Sequence, residues 1–238
     1  MHAYRRHQLV RLTEAGWRGV LHSAPEAPAR WDAQALDCLR YWAEHHLPLV
    51  VARQGDGWPH MQPPDSLALG LPAPARWGRR RLSLRVPRTA VHYFDEFPAA
   101  ECIGALLPWP VRAAWRALCA EFERLGVTAR VCGSYGWQQL TGLTCVHPAS
   151  DIDLLLTPGH ARSADTLSAL LQRAPFERPR LDGEFAFHDG AAVAWREWAA
   201  WRSGRVARIL VKRLDGASLE DATTWEPGVT GHAMAVAE

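Results

Sequence analysis

The amino-acid sequence predicts an α/β (α+β) fold in which a mixed sheet flanked by helices follows a smaller α/β domain. In the second half of the chain, strand-like runs at residues 128–132, 151–156 and 206–212 are separated by helix-like segments. Those segments, at residues 111–125 and 159–173, repeat apolar residues with helical spacing. Strands separated by helices are typical of a sheet that carries helices on its faces.

The first part of the chain shows the same mixture on a smaller scale. Apolar residues recur at helical spacing from residue 31 to residue 46, and Pro48 ends the helix. Strands are predicted at residues 8–13, 49–52 and 82–86. Loops rich in turn-forming residues are predicted at residues 23–30 and 54–65. We therefore expect an N-terminal domain over residues 1–95.

A second domain is expected over residues 108–238. Pro108 and Pro110 suit the start of its first helix, and Gly126 lies where the C-terminal cap of that helix belongs. The residues between Ser134 and Asp151 are predicted to form a polar insert with turns. A hairpin is predicted from residues 181–187 and 191–195.

Composition limits the classes of function. The chain has 238 residues and a net charge of +2, which does not indicate a nucleic-acid partner. Its five cysteines are scattered without a metal-binding CxxC pair, as expected in a reducing cytoplasm. No apolar run approaches the roughly 20 residues that a membrane helix needs. We therefore expect a cytoplasmic protein that binds neither membrane nor nucleic acid.

The most informative residues are a glycine and a serine after one predicted strand and two aspartates on the next. Gly133 lets the backbone approach a triphosphate, and Ser134 adds hydrogen-bond donors. Asp151 and Asp153 lie on one face of their strand, because side chains alternate along a strand. Such a pair repels itself unless a cation intervenes, and Mg²⁺ prefers oxygen ligands. The order of the two motifs predicts a nucleotidyltransferase site, in which Gly-Ser holds phosphates and the aspartates hold Mg²⁺.

A third carboxylate is expected on the strand that begins at residue 181. Asp182 and Glu184 lie on the same face of that strand, and either can bind metal or accept the proton of an attacking hydroxyl. We favour Glu184 slightly, because Asp182 precedes Gly183 and is also typical of a bulge or turn.

Basic residues outside these motifs allow two interpretations each. Lys212, the only lysine of the chain, either belongs to the site or lies at the surface with its ammonium in water. Arg178 and Arg180 either reach phosphate or are solvated. Six arginines between residues 76 and 88 form either an exposed edge or a surface for an acidic carrier protein or a phosphorylated ligand.

The segment from residue 133 to residue 156, GSYGWQQLTGLTCVHPASDIDLLL, carries a specific resemblance. It resembles the phosphoribosyl-dephospho-CoA transferases of malonate decarboxylase systems, also called malonate decarboxylase holo-acyl-carrier-protein synthases. This pattern is much more specific than Gly-Ser and Asp-x-Asp alone. Further matching segments lie at residues 48–51, 182–184, 189–190 and 193–197, so the resemblance covers most of the chain.

The resemblance implies a particular transfer reaction. A serine of the apo acyl carrier protein subunit of malonate decarboxylase attacks the innermost phosphate of triphosphoribosyl-dephospho-CoA, and pyrophosphate leaves. The N-terminal domain then holds the dephospho-CoA arm or the carrier protein. The implied roles are Mg²⁺ binding by Asp151 and Asp153, pyrophosphate binding by Gly133 and Ser134, and metal or proton binding by Asp182 or Glu184.

Two other classes of function remain open at this point. One is a nucleotidyltransferase that acts on a small molecule or on RNA, and the modest net charge disfavours RNA. The other is a non-catalytic interaction protein of the decarboxylase complex. The intact aspartate pair and Gly-Ser disfavour that class.

Overall fold

The computed structural model describes residues 4–22, 31–54, 65–223 and 225–227. The chain divides into two compact units: residues 1–97 with 137–146, and residues 98–136 with 147–238. Each unit combines helices with one sheet, so the predicted α+β class is confirmed. The predicted loop at residues 23–30, and all but the two ends of the loop at residues 54–65, lie outside the described residues.

The first unit contains a five-stranded sheet in which every pairing is antiparallel. Its strands are β1 (Leu9–Leu12), β2 (Leu49–Val51), β3 (Ser66–Pro72), β4 (Arg81–Pro87) and β5 (Val91–Asp95). They lie in the order β4-β3-β2-β1-β5. The sequence predicts β1, β2 and β4 but not β3 or β5. The edge strand β5 exposes three consecutive residues, so it lacks the alternation that marks a half-buried strand.

Two helices accompany this sheet, α1 (Glu14–Leu21) and α2 (Ala33–Glu44). Thr13 and Asp32 cap their first turns, with side-chain oxygens that accept backbone N–H groups at 3.0 and 2.8 Å. The sequence predicts α2 but not α1. Gly16 of α1 allows close packing, because a Cβ there would lie 2.8 Å from the backbone oxygen of Ala90.

The second unit begins with short 3₁₀ turns at Ala100–Leu106 and Trp109–Val111, followed by helix α3 (Arg112–Arg124). Trp115, Leu118 and Phe122 form its buried stripe, at the helical spacing that predicts it. Gly126 follows with φ of +64°, as a C-terminal cap requires.

The sheet of the second unit has six strands. They are β6 (Ala129–Cys132), β7 (Ile152–Leu156), β8 (Leu181–Ala186), β9 (Ala192–Ala194), β10 (Ile209–Lys212) and β11 (Ala217–Glu220). Their order is β11-β10-β9-β8-β7-β6. Among the described strands of this sheet, only β7 and β8 pair in parallel, and helix α5 (Ala161–Arg173) provides the crossover between them. The sheet is therefore mixed, as predicted.

The two faces of this sheet differ in chemistry. One face is apolar and buried, and helix α6 (Trp195–Arg202) packs there with Trp198 edge-on to Phe185, 6.2 Å between ring centres. The other face is lined by half-buried polar side chains, which the register of neighbouring strands places side by side. We call this the polar face, and it consists of Cys132, Asp153, Asp182, Glu184 and Lys212.

The polar insert predicted after Ser134 is wrong in part, because helix α4 (Gly133–Thr141) occupies its first half. Gly133 and Ser134 were predicted to end the strand before this insert, whereas here they begin a helix. Tyr135 and Trp137 are buried, and Gln138 Oε1 accepts the N–H groups of Cys145 and Val146 at 3.1 and 2.9 Å. Helix α6 and strand β11 are also absent from the prediction.

No helix among the described residues is long and apolar enough to cross a membrane.

Gly183→Ala is expected to destabilise the protein. Gly183 faces Leu154 in the parallel pair, its φ is +129°, and an added Cβ would overlap the backbone of Leu154. Neither the backbone conformation nor the space admits a side chain, so we expect a loss of at least about 2 kcal/mol in the free energy of unfolding. Urea denaturation measures the loss. Gly159→Ala is the control, since a Cβ there meets no atom within 4 Å, and equal effects of the two substitutions would contradict this account.

Candidate active site

Gly133 lies where strand β6 ends and helix α4 begins, directly against Asp153. Its φ is +58°, and an added Cβ would overlap the carboxylate of Asp153. Only glycine fits this junction. The first turn of α4, which includes Ser134, carries the N–H groups that a helix N-terminus leaves without helical acceptors. The structure therefore places a helix N-terminus, an element that can bind anions, beside one carboxylate of the predicted aspartate pair.

The two predicted metal-binding aspartates lie at the start of β7. Asp153 is the register partner of Cys132 on β6. Asp151 lies one residue before the strand, and its Oδ2 accepts a hydrogen bond from Arg180 Nη2 at 2.6 Å. This hydrogen bond raises the pKa of the Arg180 guanidinium, and the nearby Asp182 carboxylate adds to the effect. Arg180 therefore compensates negative charge at this end of the site.

Both candidates for the third acid lie on the polar face. Asp182 is the register partner of Asp153 in the parallel pair, so their backbones are about 4.8 Å apart. Its Oδ1 accepts the N–H of Gly183 at 2.9 Å. Glu184 lies two residues farther along β8, and its Oε1 is 2.6 Å from Lys212 Nζ. The amino-acid sequence places Lys212 at the end of a predicted strand but does not show this ion pair.

Cys132 also lies on the polar face, although it is not among the predicted site residues. Burial raises the pKa of its thiol to about 12, and the carboxylates of Asp153 and Glu184 contribute to the shift. Its Sγ also lies 3.4 Å from the backbone oxygen of Asp153. The thiol therefore lies within the electrostatic influence of both acids.

The arginine-rich segment at residues 76–88 belongs to the first unit and is largely engaged within it. Arg76 lies over the ring of Trp77, 4.5 Å from its centre, and Arg80 pairs with Asp32 at 2.6 Å. Arg85 and Arg88 bond to Ser66 and Asp65, at 3.1 and 3.3 Å. Arg79 and Arg81 are exposed. Most of this segment is thus an arginine-rich edge with partners inside its own unit.

The acids of the second unit are better suited to a Mg²⁺ site that water and substrate phosphates complete than to a metal site formed by protein side chains alone. Within the described ranges, no three His, Cys, Asp or Glu side chains are grouped as a complete metal site. Mg²⁺ in phosphoryl-transfer sites is usually bound by one or two carboxylates together with water and substrate phosphates. Asp153, against the N-terminus of α4, and Asp151, two residues earlier in the chain, could provide such a partial set.

Cys132 is expected to resist alkylation by iodoacetamide at pH 8, while the exposed Cys102 reacts. Because the thiolate is the nucleophile, the raised pKa leaves a roughly 1000-fold smaller reactive fraction than an ordinary thiol has. Peptide mass spectrometry of the alkylated protein measures both sites. The same shift has a consequence for stability: above about pH 9 the unfolded chain releases this proton and the folded chain keeps it, so stability falls as pH rises. Equal alkylation rates at the two cysteines would show that the thiol is not held protonated.

Comparison with known proteins places the chain in a family. The model described as phosphoribosyl-dephospho-CoA transferase MdcG N-terminal domain matches residues 5–97, and the corresponding C-terminal domain model matches residues 98–223. No solved structure matches the chain.

Curated relatives give the same result over most of the chain. A phosphoribosyl-dephospho-CoA transferase from Xanthomonas euvesicatoria pv. vesicatoria is 37% identical over 209 residues, which are 87% of this chain and 89% of the relative. One from Bradyrhizobium diazoefficiens is 34% identical over 230 residues, 95% of this chain and 94% of the relative. The resemblance seen in residues 133–156 is thereby confirmed. The chain belongs to the phosphoribosyl-dephospho-CoA transferases, a family of transferase enzymes.

Proposed function

We propose that this enzyme transfers the phosphoribosyl-dephospho-CoA group from triphosphoribosyl-dephospho-CoA to a serine of the apo acyl carrier protein subunit of malonate decarboxylase. Pyrophosphate is the other product. The observation that carries the proposal is the junction at Gly133, where a helix N-terminus meets the carboxylate of Asp153. A group that can bind phosphate and a carboxylate that can bind Mg²⁺ then lie side by side.

The N-terminus of α4 holds the two outer phosphates in this proposal. Backbone N–H groups of its first turn and the Ser134 hydroxyl donate to phosphate oxygens, and the helix dipole favours their negative charge. As the bond to the innermost phosphate breaks, its electron pair passes to the departing pyrophosphate oxygen. Donors already in place stabilise that charge without reorganisation.

Asp151 and Asp153 are the residues that would hold Mg²⁺. When bound, the ion neutralises phosphate charge and polarises the phosphoryl group. The protein contributes the placement of the two carboxylates, and Arg180 fixes the orientation of Asp151. Phosphoryl-type transfer depends mainly on such positioning and charge neutralisation.

A carboxylate of β8 accepts the proton of the attacking serine. The serine oxygen forms the new bond to phosphorus, and its proton passes to Asp182 or to Glu184. Asp182 lies directly beside Asp153, whereas Glu184 has the longer side chain and is held by Lys212. We keep Glu184 as the favoured residue and test it against Asp182 below.

The remaining assignments of the proposal concern the rest of the chain. The catalytic domain is assigned to residues 108–238, and residues 1–95 bind the dephospho-CoA arm or the carrier protein. The proposed location is the cytoplasm.

A nucleotidyltransferase of small molecules is the competing function. Incubation of enzyme, Mg²⁺ and triphosphoribosyl-dephospho-CoA with apo carrier protein distinguishes the two functions. A mass increase of the carrier protein by one prosthetic group supports transfer, and an unchanged mass contradicts it.

Asp151→Asn and Asp153→Asn are each expected to lower the transfer rate by more than about 100-fold, since loss of a metal ligand costs more than loss of its supporting contacts. Folding should persist, because neither carboxylate is a core group. Carrier-protein mass spectrometry and thermal melts of the same samples measure the two effects. Asp215→Asn, an exposed aspartate between β10 and β11, is the matched control. Near-normal turnover in either site variant would refute the metal role.

Glu184→Gln is expected to lower transfer by about 100-fold, the usual cost of a lost general base, and Asp182→Asn should be milder. Single-turnover rates at saturating carrier protein make the comparison. The reverse order would assign the proton to Asp182. Small and equal effects would mean that the third carboxylate lies elsewhere.

A further inference from the structure

Lys212 occupies a defined position on the polar face. It is the last residue of β10, its side chain is 30% exposed, and its Nζ lies 2.6 Å from Glu184 Oε1. The Glu184 side chain is only 14% exposed. The ammonium is therefore held against the sheet, which removes the interpretation of Lys212 as a surface residue with its ammonium free in water.

Small residues on the intervening strand make this ion pair possible. Strand β9 separates β8 from β10, whose backbones are therefore about 10 Å apart. Ala194 is the β9 partner of Glu184, and Ala192 is the partner of Lys212. Because both are alanines, the two long side chains can meet above β9.

The ion pair leaves part of the ammonium unused. An ammonium group has three N–H donors, and Glu184 accepts one of them. Among the described residues, Lys212 has no other hydrogen-bond acceptor. The side chain is part-exposed, and an ammonium with two remaining donors can bind an anion from solution.

An anionic ligand on the polar face needs a cation beside it, because the face is rich in acids. Three carboxylates lie on the polar face, and a polyphosphate that approaches them is repelled unless cations lie nearby. Arg180 is engaged with Asp151 at one end of the site, and Lys212 supplies positive charge beside Glu184. A part-buried ion pair adds little net stability, so the stability of the fold does not explain the presence of a lysine at this position. Its compact ammonium binds one phosphate oxygen as a point charge.

We propose that the Lys212 ammonium binds a phosphate group of the polyphosphate substrate and that Glu184 holds it in position for this contact. The inference deepens the proposed function and rests on it for the nature of the substrate. The ligand is a polyphosphate ester. Lys212 is then a binding residue in addition to the Gly133 motif and the aspartate motif.

Because Lys212 is the only lysine, amine-directed chemistry tests the proposal on the unaltered protein. Acetic anhydride modifies its ε-amine and the N-terminal amine, and peptide mass spectrometry separates the two. With excess Mg²⁺, inorganic tripolyphosphate is added until protection no longer increases. We expect acetylation of Lys212 to slow at least tenfold while the N-terminal amine reacts as before. An unchanged rate at Lys212 would overturn the proposal.

Variants separate binding from a merely structural role. Lys212→Met should raise the KM for triphosphoribosyl-dephospho-CoA at least tenfold and leave the KM for carrier protein unchanged, and Lys212→Arg should restore most of the loss. Arg213→Met is the matched control, because Arg213 is the next residue and pairs with Glu220 at 2.7 Å. Equal KM values in Lys212→Met and the unaltered enzyme would contradict phosphate binding. If thermal melts show that Lys212→Met is not folded, the acetylation result and the KM of Lys212→Arg test phosphate binding instead.

The two proposals fail in different ways. If carrier protein is never modified but tripolyphosphate protects Lys212, the proposed acceptor is wrong and the phosphate contact stands. If transfer proceeds without protection and with a normal KM in Lys212→Met, the contact is wrong and the transfer function stands.

Discussion

The parallel pairing of β7 with β8 is the constraint on which the candidate site depends. It places Asp153 beside Asp182, and it fixes which face of β8 carries Glu184. A shift of one residue in this register would exchange the polar face for the apolar one, and would bury carboxylates under α6. Gly183 permits the close approach of the two strands at the centre of the pair. The chemistry of the site is therefore set by backbone geometry before any side chain is considered.

Charge on the polar face and at the adjoining Asp151 is balanced locally, not by the net charge of the chain. Arg180 engages Asp151, and Lys212 engages Glu184, while the N-terminus of α4 lies against Asp153. Each carboxylate that is drawn out of water thus has a positive group or dipole in reach, which lowers the cost of its burial. The remaining acid, Asp182, bonds to the N–H of Gly183. This distribution explains how several acids can share one half-buried surface.

Apolar runs and apolar periodicity were sufficient to predict several elements of the fold. Apolar spacing predicts helices α2, α3 and α5 and strands β6, β7, β8 and β10. Local features of the sequence explain why α4 and α1 were not predicted. Helix α4 starts with residues that also form turns, and Gly16 in α1 marks close packing against Ala90. The motif residues were identifiable because Gly133 directly follows β6 and Asp153 lies near the start of the neighbouring strand β7. Their catalytic roles remain predictions. The pair of Glu184 with Lys212 spans 28 residues and an intervening strand, so it depends on a strand order that the sequence alone does not state.

The protonated thiol of Cys132 has a consequence for how the protein meets oxidants. Peroxides attack thiolates, and the successive sulfenic, sulfinic and sulfonic acids all begin from that form. With its pKa raised to about 12, Cys132 carries almost no thiolate at neutral pH. Cys132 can thus lie next to Asp153 and still resist oxidation, because the nearby carboxylates help to keep its thiol protonated.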